Sequence, residues 1–187
     1  MGRCTPEEVQ RLLPLVPRTQ QDEALKFKFT FGQYATLKSH LMLRELLAAN
    51  GLIGQDDPLT FQTNEHGKPF LPDYPGIHFN ISHCPKSIAV AVDSKPIGVD
   101  VERFVSFSDS LLHYCMNDRE VREIQQAQFP DRVFARYWTQ KEALFKQRGT
   151  GITHELRDIL DLPHPDVHLE TEIFDEKGYA FSLAIAD

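Results

Sequence analysis

The order of hydrophobic periods predicts an α+β fold of two similar α/β halves arranged as a pseudo-dimer, each a small antiparallel sheet packed with helices. Helical spacing governs the stretch up to residue 50 and returns over 117–148. Period-two alternation follows each helical stretch, over 77–102 and again over 167–185. The chain has 187 residues and 41% hydrophobic content, enough for a sizeable core, and residues 103–110 break both periods between the blocks. The halves are therefore placed at 1–105 and 106–187. No repeat of residue identities relates them.

The elements follow in order. Thr5-Pro6-Glu7-Glu8 is a helix start: Thr5 caps, Pro6 takes the first position and Glu8 completes a capping box. That helix stops near Pro14 and Pro17. A longer one is expected from about Gln33 to Asn50, with Gly51 supplying its left-handed end. Ile77, Phe79 and Ile81 alternate with His78, Asn80 and Ser82, a strand with one apolar and one polar face. Ser87 to Val92 is a nearly continuous apolar strand. After the turn Asp93-Ser94-Lys95-Pro96, Ile97, Val99 and Val101 alternate with Gly98, Asp100 and Glu102, so these two strands are expected to form a hairpin. Asn117-Asp118-Arg119-Glu120 is a second capping box, opening a helix to about Gln128. A further helix is expected from Asp131 to Arg148, closed by Gly149 and Gly151. The tail reads as two strands, Val167–Phe174 and Tyr179–Ile185, about the turn Asp175-Glu176-Lys177-Gly178.

Composition removes several function classes. The net charge of −7 argues against a broad nucleic-acid face, which needs a surplus of lysine and arginine, but it leaves room for a local basic pocket. Cys4, Cys84 and Cys115 form no Cys-x-x-Cys pair, so neither a disulfide framework nor a zinc site is expected, and three free thiols suit a reducing compartment. The amino end Met1-Gly2-Arg3-Cys4-Thr5-Pro6 carries no apolar signal core. No apolar run approaches the roughly 18 residues that span a bilayer. The expectation is a cytoplasmic protein, and Asn80-Ile81-Ser82 is read as a chance sequon.

Four local features carry chemistry. In Gly98-Val99-Asp100-Val101-Glu102 the two carboxylates share a strand face, where an oxygen-seeking cation such as magnesium would relieve their repulsion; a solvated strand face carries the same pattern. In Trp138 to Gly151, Glu142 and Lys146 lie one helical turn apart, which a simple surface ion pair would also satisfy. Phe79-Asn80-Ile81-Ser82-His83 offers donors to a phosphate, or a capped strand end. Asn64-Glu65-His66-Gly67-Lys68-Pro69 reads as a hairpin turn with an exposed lysine.

In this order, Gly67-Lys68-Pro69, Phe79 to His83, Gly98 to Glu102, and Trp138 to Lys146 with Gly149 and Gly151 resemble the 4′-phosphopantetheinyl transferases. The surfactin-synthetase-activating (Sfp-like) class fits better than the small holo-acyl-carrier-protein synthases, which have one half per chain and assemble as trimers. The resemblance spans about residues 59–151. It implies a Mg2+-dependent transfer of the phosphopantetheine group from coenzyme A to a serine of an apo acyl or peptidyl carrier protein, by a monomer that binds neither nucleic acid nor membrane. It further implies Asp100, Glu102 and Glu142 as metal ligands, with Glu142 as general base. Lys146 and His83 would hold the pyrophosphate, with Lys68, Ser82 and Lys141 near the cofactor. Catalytic roles fall on Glu142, Lys146 and Asp100.

Two departures accompany the resemblance. The family's usual first strand is missing, and so is an arginine for the 3′-phosphate, leaving Lys26, Lys28 or Lys38 as substitutes. Rival readings are a Mg2+-dependent hydrolase of a nucleotide pyrophosphate and a non-catalytic relic of the fold, although every acidic ligand and the helix lysine are present. The carrier is expected to dock along Arg103–Tyr114, with Phe107 and Tyr114 exposed and Phe104, Leu111 and Leu112 packed inward.

Overall fold

Reciprocal bonds start the first helix. Thr5 Oγ1 accepts from the Glu8 N–H at 3.3 Å and Glu8 Oε2 accepts from the Thr5 N–H at 3.0 Å, which launches α1 (Pro6–Leu12). The computed structural model describes residues 4–54 and 56–187; Met1–Arg3, part of the amino end read above for a signal core, and Gln55 lie outside the described residues. A 3₁₀ turn over Leu13–Leu15 follows. The next helix, α2 (Arg18–Leu25), was not signalled by periodicity, because Ala24 is its one buried residue. α3 spans Thr30–Ala49 and closes through Gly51 at φ 67°. Val9, Leu12, Val16, Ala24 and Leu37 make a core among these helices.

The chain divides into two compact units, Met1–Leu59 and Thr60–Asp187. The second opens with β1 (Gln62–Thr63) and β2 (Pro69–Phe70), paired antiparallel about a turn with Gly67 at φ 84°. β3 (His78–Cys84) and β4 (Ser87–Asp93) form a hairpin with Cys84 opposite Ser87. β5 (Ile97–Arg103) is followed by α4 (Asp109–Cys115), α5 (Asp118–Gln126) and α6 (Pro130–Arg148). After 3₁₀ turns at His154–Arg157 and Ile159–Asp161, β6 (Val167–Phe174) and β7 (Tyr179–Ala186) complete a three-stranded antiparallel sheet in the order β5-β7-β6. The architecture is α+β, with small antiparallel sheets packed with helices.

The expected β4–β5 hairpin does not form. The tight Cys84–Ser87 reversal gives β4 to β3, and β5 pairs instead with β7, Asp100 opposite Ser182. The N–H groups of Val99 and Val101, which face away from β7, go to side chains of β3 rather than to a strand. Ladder bonds therefore join residues on both sides of the expected 105/106 boundary, and the compact units meet at 59/60 instead.

The core of the second unit is built on α6. Leu112, Met116, Ile124, Phe134, Leu144, Phe145 and Ile159 belong to one buried cluster. At Gly98 the strand and helix touch backbone to backbone: a Cβ there would lie 2.1 Å from the Ala143 carbonyl oxygen and 2.2 Å from the Gln147 nitrogen. Only glycine permits that approach. The cysteines are free, with Cys84 and Cys115 buried.

Candidate active site

Three elements deliver the predicted residues to one place. β5 brings Asp100, which is 2% exposed, and Glu102 on the same face. β3 brings Ser82, whose Oγ donates to Asp100 Oδ1 at 2.7 Å. α6 brings Lys146, whose Nζ donates to Asp100 Oδ1 at 2.5 Å and to Ser82 Oγ at 3.2 Å. Glu142 lies one turn earlier on that helix. The polar face of β3 is not turned to solvent as its alternation suggests. Asn80 and Ser82 are buried against β5, with Asn80 Oδ1 accepting from the Val99 N–H at 2.8 Å and Ser82 Oγ from the Val101 N–H at 3.3 Å.

The carboxylates sense one another. Burial first, then the charge of Asp100, pushes Glu102 up to about 7, with Glu142 adding to the rise and Lys146 opposing it. Glu142 is raised by burial and by Asp100, again against Lys146. Next to Ser82, the His83 imidazole is held below its usual value, chiefly by desolvation and in part by Lys146.

Asp100 Oδ2 is buried with no hydrogen-bond partner. An orphaned carboxylate oxygen beside two acids with raised proton affinity is a donor set suited to a hard dication. Among the described residues no group of three or more His, Cys, Asp or Glu is gathered to hold a metal as it stands. Lys146, seated on Asp100 Oδ1, supplies the counter-charge.

Lys68 reaches the same region from the β1–β2 turn. Its Nζ donates to the carbonyls of Ile97 at 3.0 Å and Gln147 at 3.1 Å, and burial holds its pKa down. Asn64 fixes that turn: its Oδ1 accepts from the His66 and Lys68 N–H groups, and its Nδ2 donates to the Gly149 carbonyl at 2.9 Å. A cavity of about 280 Å³ lies here, lined among others by Lys68, Asn80, Glu142, Phe145, Lys146 and Gly151.

Lys141 is not part of this group. It is fully buried, pairs with Glu120 at 2.8 Å and donates to the carbonyls of Leu156 and Arg157. One residue along a helix is a rotation of about 100°, so a neighbour of Glu142 faces elsewhere. Glu120 in turn closes the α5 capping box through the Asn117 N–H. The second role of Glu120 leaves no local mark in the sequence, because its partner lies far along the chain. Lys26 pairs with Glu23 at 2.5 Å and Lys28 lies 5.9 Å from the Phe29 ring centre, so neither is singled out as an anion site. In the segment Arg103–Tyr114, where docking is expected, Phe107 is stacked on Phe134 at 4.4 Å and partly buried, whereas Leu111 and Tyr114 are 44% and 70% exposed. The expectation is reversed for Phe107 and Leu111 because α4, capped by Ser108, turns Leu112 and Cys115 inward instead.

Residues 96–184 match the family described as the 4′-phosphopantetheinyl transferase superfamily, and residues 3–95 match 4′-phosphopantetheinyl transferase, N-terminal. A 4′-phosphopantetheinyl transferase of Bacillus subtilis is 32% identical over 174 residues, covering 90% of this chain and 75% of the relative. The transferase Sfp of Bacillus subtilis strain 168 is 27% identical over 171 residues, covering 90% and 76%. An L-aminoadipate-semialdehyde dehydrogenase-phosphopantetheinyl transferase of Xenopus laevis is 25% identical over 212 residues, covering all of this chain and 66% of the relative. The chain belongs to the 4′-phosphopantetheinyl transferase superfamily, in its Sfp-like class. It is an enzyme of that transferase type.

Proposed function

We propose that this enzyme moves the 4′-phosphopantetheine arm of coenzyme A onto a serine of an apo acyl or peptidyl carrier protein, as a cytoplasmic monomer, and releases 3′,5′-ADP. The supporting observation is the meeting of Ser82, Asp100 and Lys146 within hydrogen-bond distance, with Asp100 Oδ2 unspent. Asp100, Glu102 and Glu142 would hold Mg2+, which supplies charge neutralisation at the diphosphate when bound.

The chain's own residues account for the rest. The carrier serine oxygen forms a bond to the β-phosphorus, the bond from that phosphorus to the bridging oxygen breaks, and 3′,5′-ADP departs with the electron pair. Glu142 takes the serine proton. Lys146 faces the charge that grows on the departing phosphate, and His83, Ser82 and Lys68 orient the diphosphate. Leu111 and Tyr114 offer the exposed apolar side chains for the carrier.

Intact-mass measurement of a panel of apo carrier proteins with enzyme, coenzyme A and Mg2+ tests the reading. The expected result is a phosphopantetheine mass increment, slowed about 10²–10³-fold in Glu142→Ala. Coenzyme A cleavage that proceeds without any carrier would favour a hydrolase instead.

A further inference from the structure

Asn80 has a fixed end and an unspent end. Its Oδ1 accepts from the Val99 N–H at 2.8 Å, and a backbone N–H can only donate, so the amide cannot turn over. The Nδ2 group is thereby held on the other side, and no acceptor among the described residues engages it. Asn80 is 5% exposed, yet it lines the 280 Å³ cavity shared with Lys68, Glu142 and Lys146. A polar atom at the wall of a pocket that the protein itself leaves unpaired is placed for a ligand. Lys68 and Lys146 each spend two of three N–H donors inside the protein, Lys68 on two carbonyls and Lys146 on Asp100 and Ser82, which leaves one apiece for a ligand. Glu142 is an acceptor and offers nothing to a ligand oxygen. The neutral, pre-oriented donor facing the cavity is Asn80.

We infer that Asn80 is a substrate-binding residue, its Nδ2 donating to an acceptor oxygen of coenzyme A on the diphosphate or on the adjoining pantetheine arm. The inference rests on the transferase reading given above. The amide joins two tasks: its oxygen steadies the strand that carries Asp100, and its nitrogen grips the donor substrate beside it. A lysine there would add charge next to Lys146, whereas a rigid amide adds direction without charge.

Calorimetry with coenzyme A and with 3′,5′-ADP separates the two ends of the side chain. Asn80→Asp keeps an oxygen for the Val99 N–H and removes the donor while adding a buried charge, so it is expected to melt below the wild type and bind coenzyme A at least about tenfold more weakly. Asn80→Ala loses both bonds, and both melting temperature and affinity are expected to fall. Asn80→Ala, which adds no charge, should also bind coenzyme A about tenfold more weakly, and this separates the missing donor from repulsion by a buried carboxylate that salt screens poorly. A parallel loss for 3′,5′-ADP assigns the contact to the shared 5′-phosphate; a loss confined to coenzyme A assigns it to the β-phosphate or the arm. Wild-type affinity in Asn80→Asp, or in folded Asn80→Ala, overturns the assignment. Failure of the wild-type enzyme to bind coenzyme A at all would instead overturn the transferase reading.

Discussion

The helices of residues 4–59 and the sheet-and-helix unit of residues 60–187 bury different chemistry. In the first, the interior is Val9, Leu12, Val16, Ala24 and Leu37, and the ion pairs Arg18–Asp22 and Lys26–Glu23 have side chains more than half exposed. In the second, Asp100, Glu120 and Lys141 are at 2%, 0% and 0% exposure. Burying a charge is unfavourable unless a partner compensates it, so the second unit retains an energetic liability that the first avoids. Asp100 belongs to the proposed site for phosphates and a cation, which needs charges fixed out of bulk water, whereas Glu120 and Lys141 stand apart from it and compensate each other.

Breaking the Glu120–Lys141 pair should test that contrast most strongly. Lys141→Met leaves the buried Glu120 charge with only the Arg119 guanidinium 4.0 Å from its other oxygen and is expected to cost about 3–5 kcal/mol in urea denaturation. Adding Glu120→Gln, which keeps an oxygen for the Asn117 N–H, should recover most of the loss. Arg18→Ala in the first unit should change stability by less than about 1 kcal/mol. Equal effects of Lys141→Met and Arg18→Ala would dissolve the distinction.

Gly98→Ala comes next. Its methyl group must displace the Ala143 carbonyl or the Gln147 nitrogen, pushing α6 from β5 and drawing Glu142 and Lys146 away from Asp100. A destabilisation of about 1–3 kcal/mol is expected, with a fall in transfer rate larger than the stability loss explains. Gly76→Ala, with nothing within 4 Å of its added Cβ, is the control and should stay within about 0.5 kcal/mol. Normal turnover in Gly98→Ala would show that this contact does not set the site.

The smallest effect is a pair of opposed pH responses. Burial, aided by Arg44, lowers His40 in the first unit from 6.5 to about 4, so the unfolded chain takes up the proton first and stability falls as pH drops from about 6.5 towards 4. Glu102 in the second unit is raised from 4.5 to about 7, so its contribution is complete below 4.5 and is lost as pH rises through 7. Segment-resolved hydrogen exchange should show α3 loosening on the acid side and β5 on the alkaline side, the latter reversed by Mg2+. A common direction in both would refute one of the two assignments.

What could be read from sequence was local. The boxes Thr5–Glu8 and Asn117–Glu120 are complete within four residues, and the Asp100–Glu102 alternation is set by strand geometry alone. Gly149 closes α6 at φ 71°, as its position after Arg148 suggests. Long-range pairing was not legible. Asp93 to Pro96 is a real turn, but β4 and β5, which it joins, go to different sheets. α2 and α4 are short and bury one and two residues, too few to impose a period. Lys141 sits in a motif of chemically active neighbours, and only the packing of α6 against Glu120 and the 153–161 turns reveals that it faces away from them.

The bonds that β5 makes on the side away from β7 have a consequence for the protein's behaviour in a crowded solution. Ile97 offers its carbonyl to Lys68, and Val99 and Val101 give their N–H groups to Asn80 and Ser82, so side chains occupy positions where a further strand would dock. Open strand edges template pairing between chains and, in time, aggregation. Here the largely apolar stretch Ile97-Gly98-Val99-Asp100-Val101 is capped by the same residues that are proposed to hold phosphate. Substitutions that empty the site of polar side chains would therefore also uncover an adhesive edge, and solubility would decline along with catalysis.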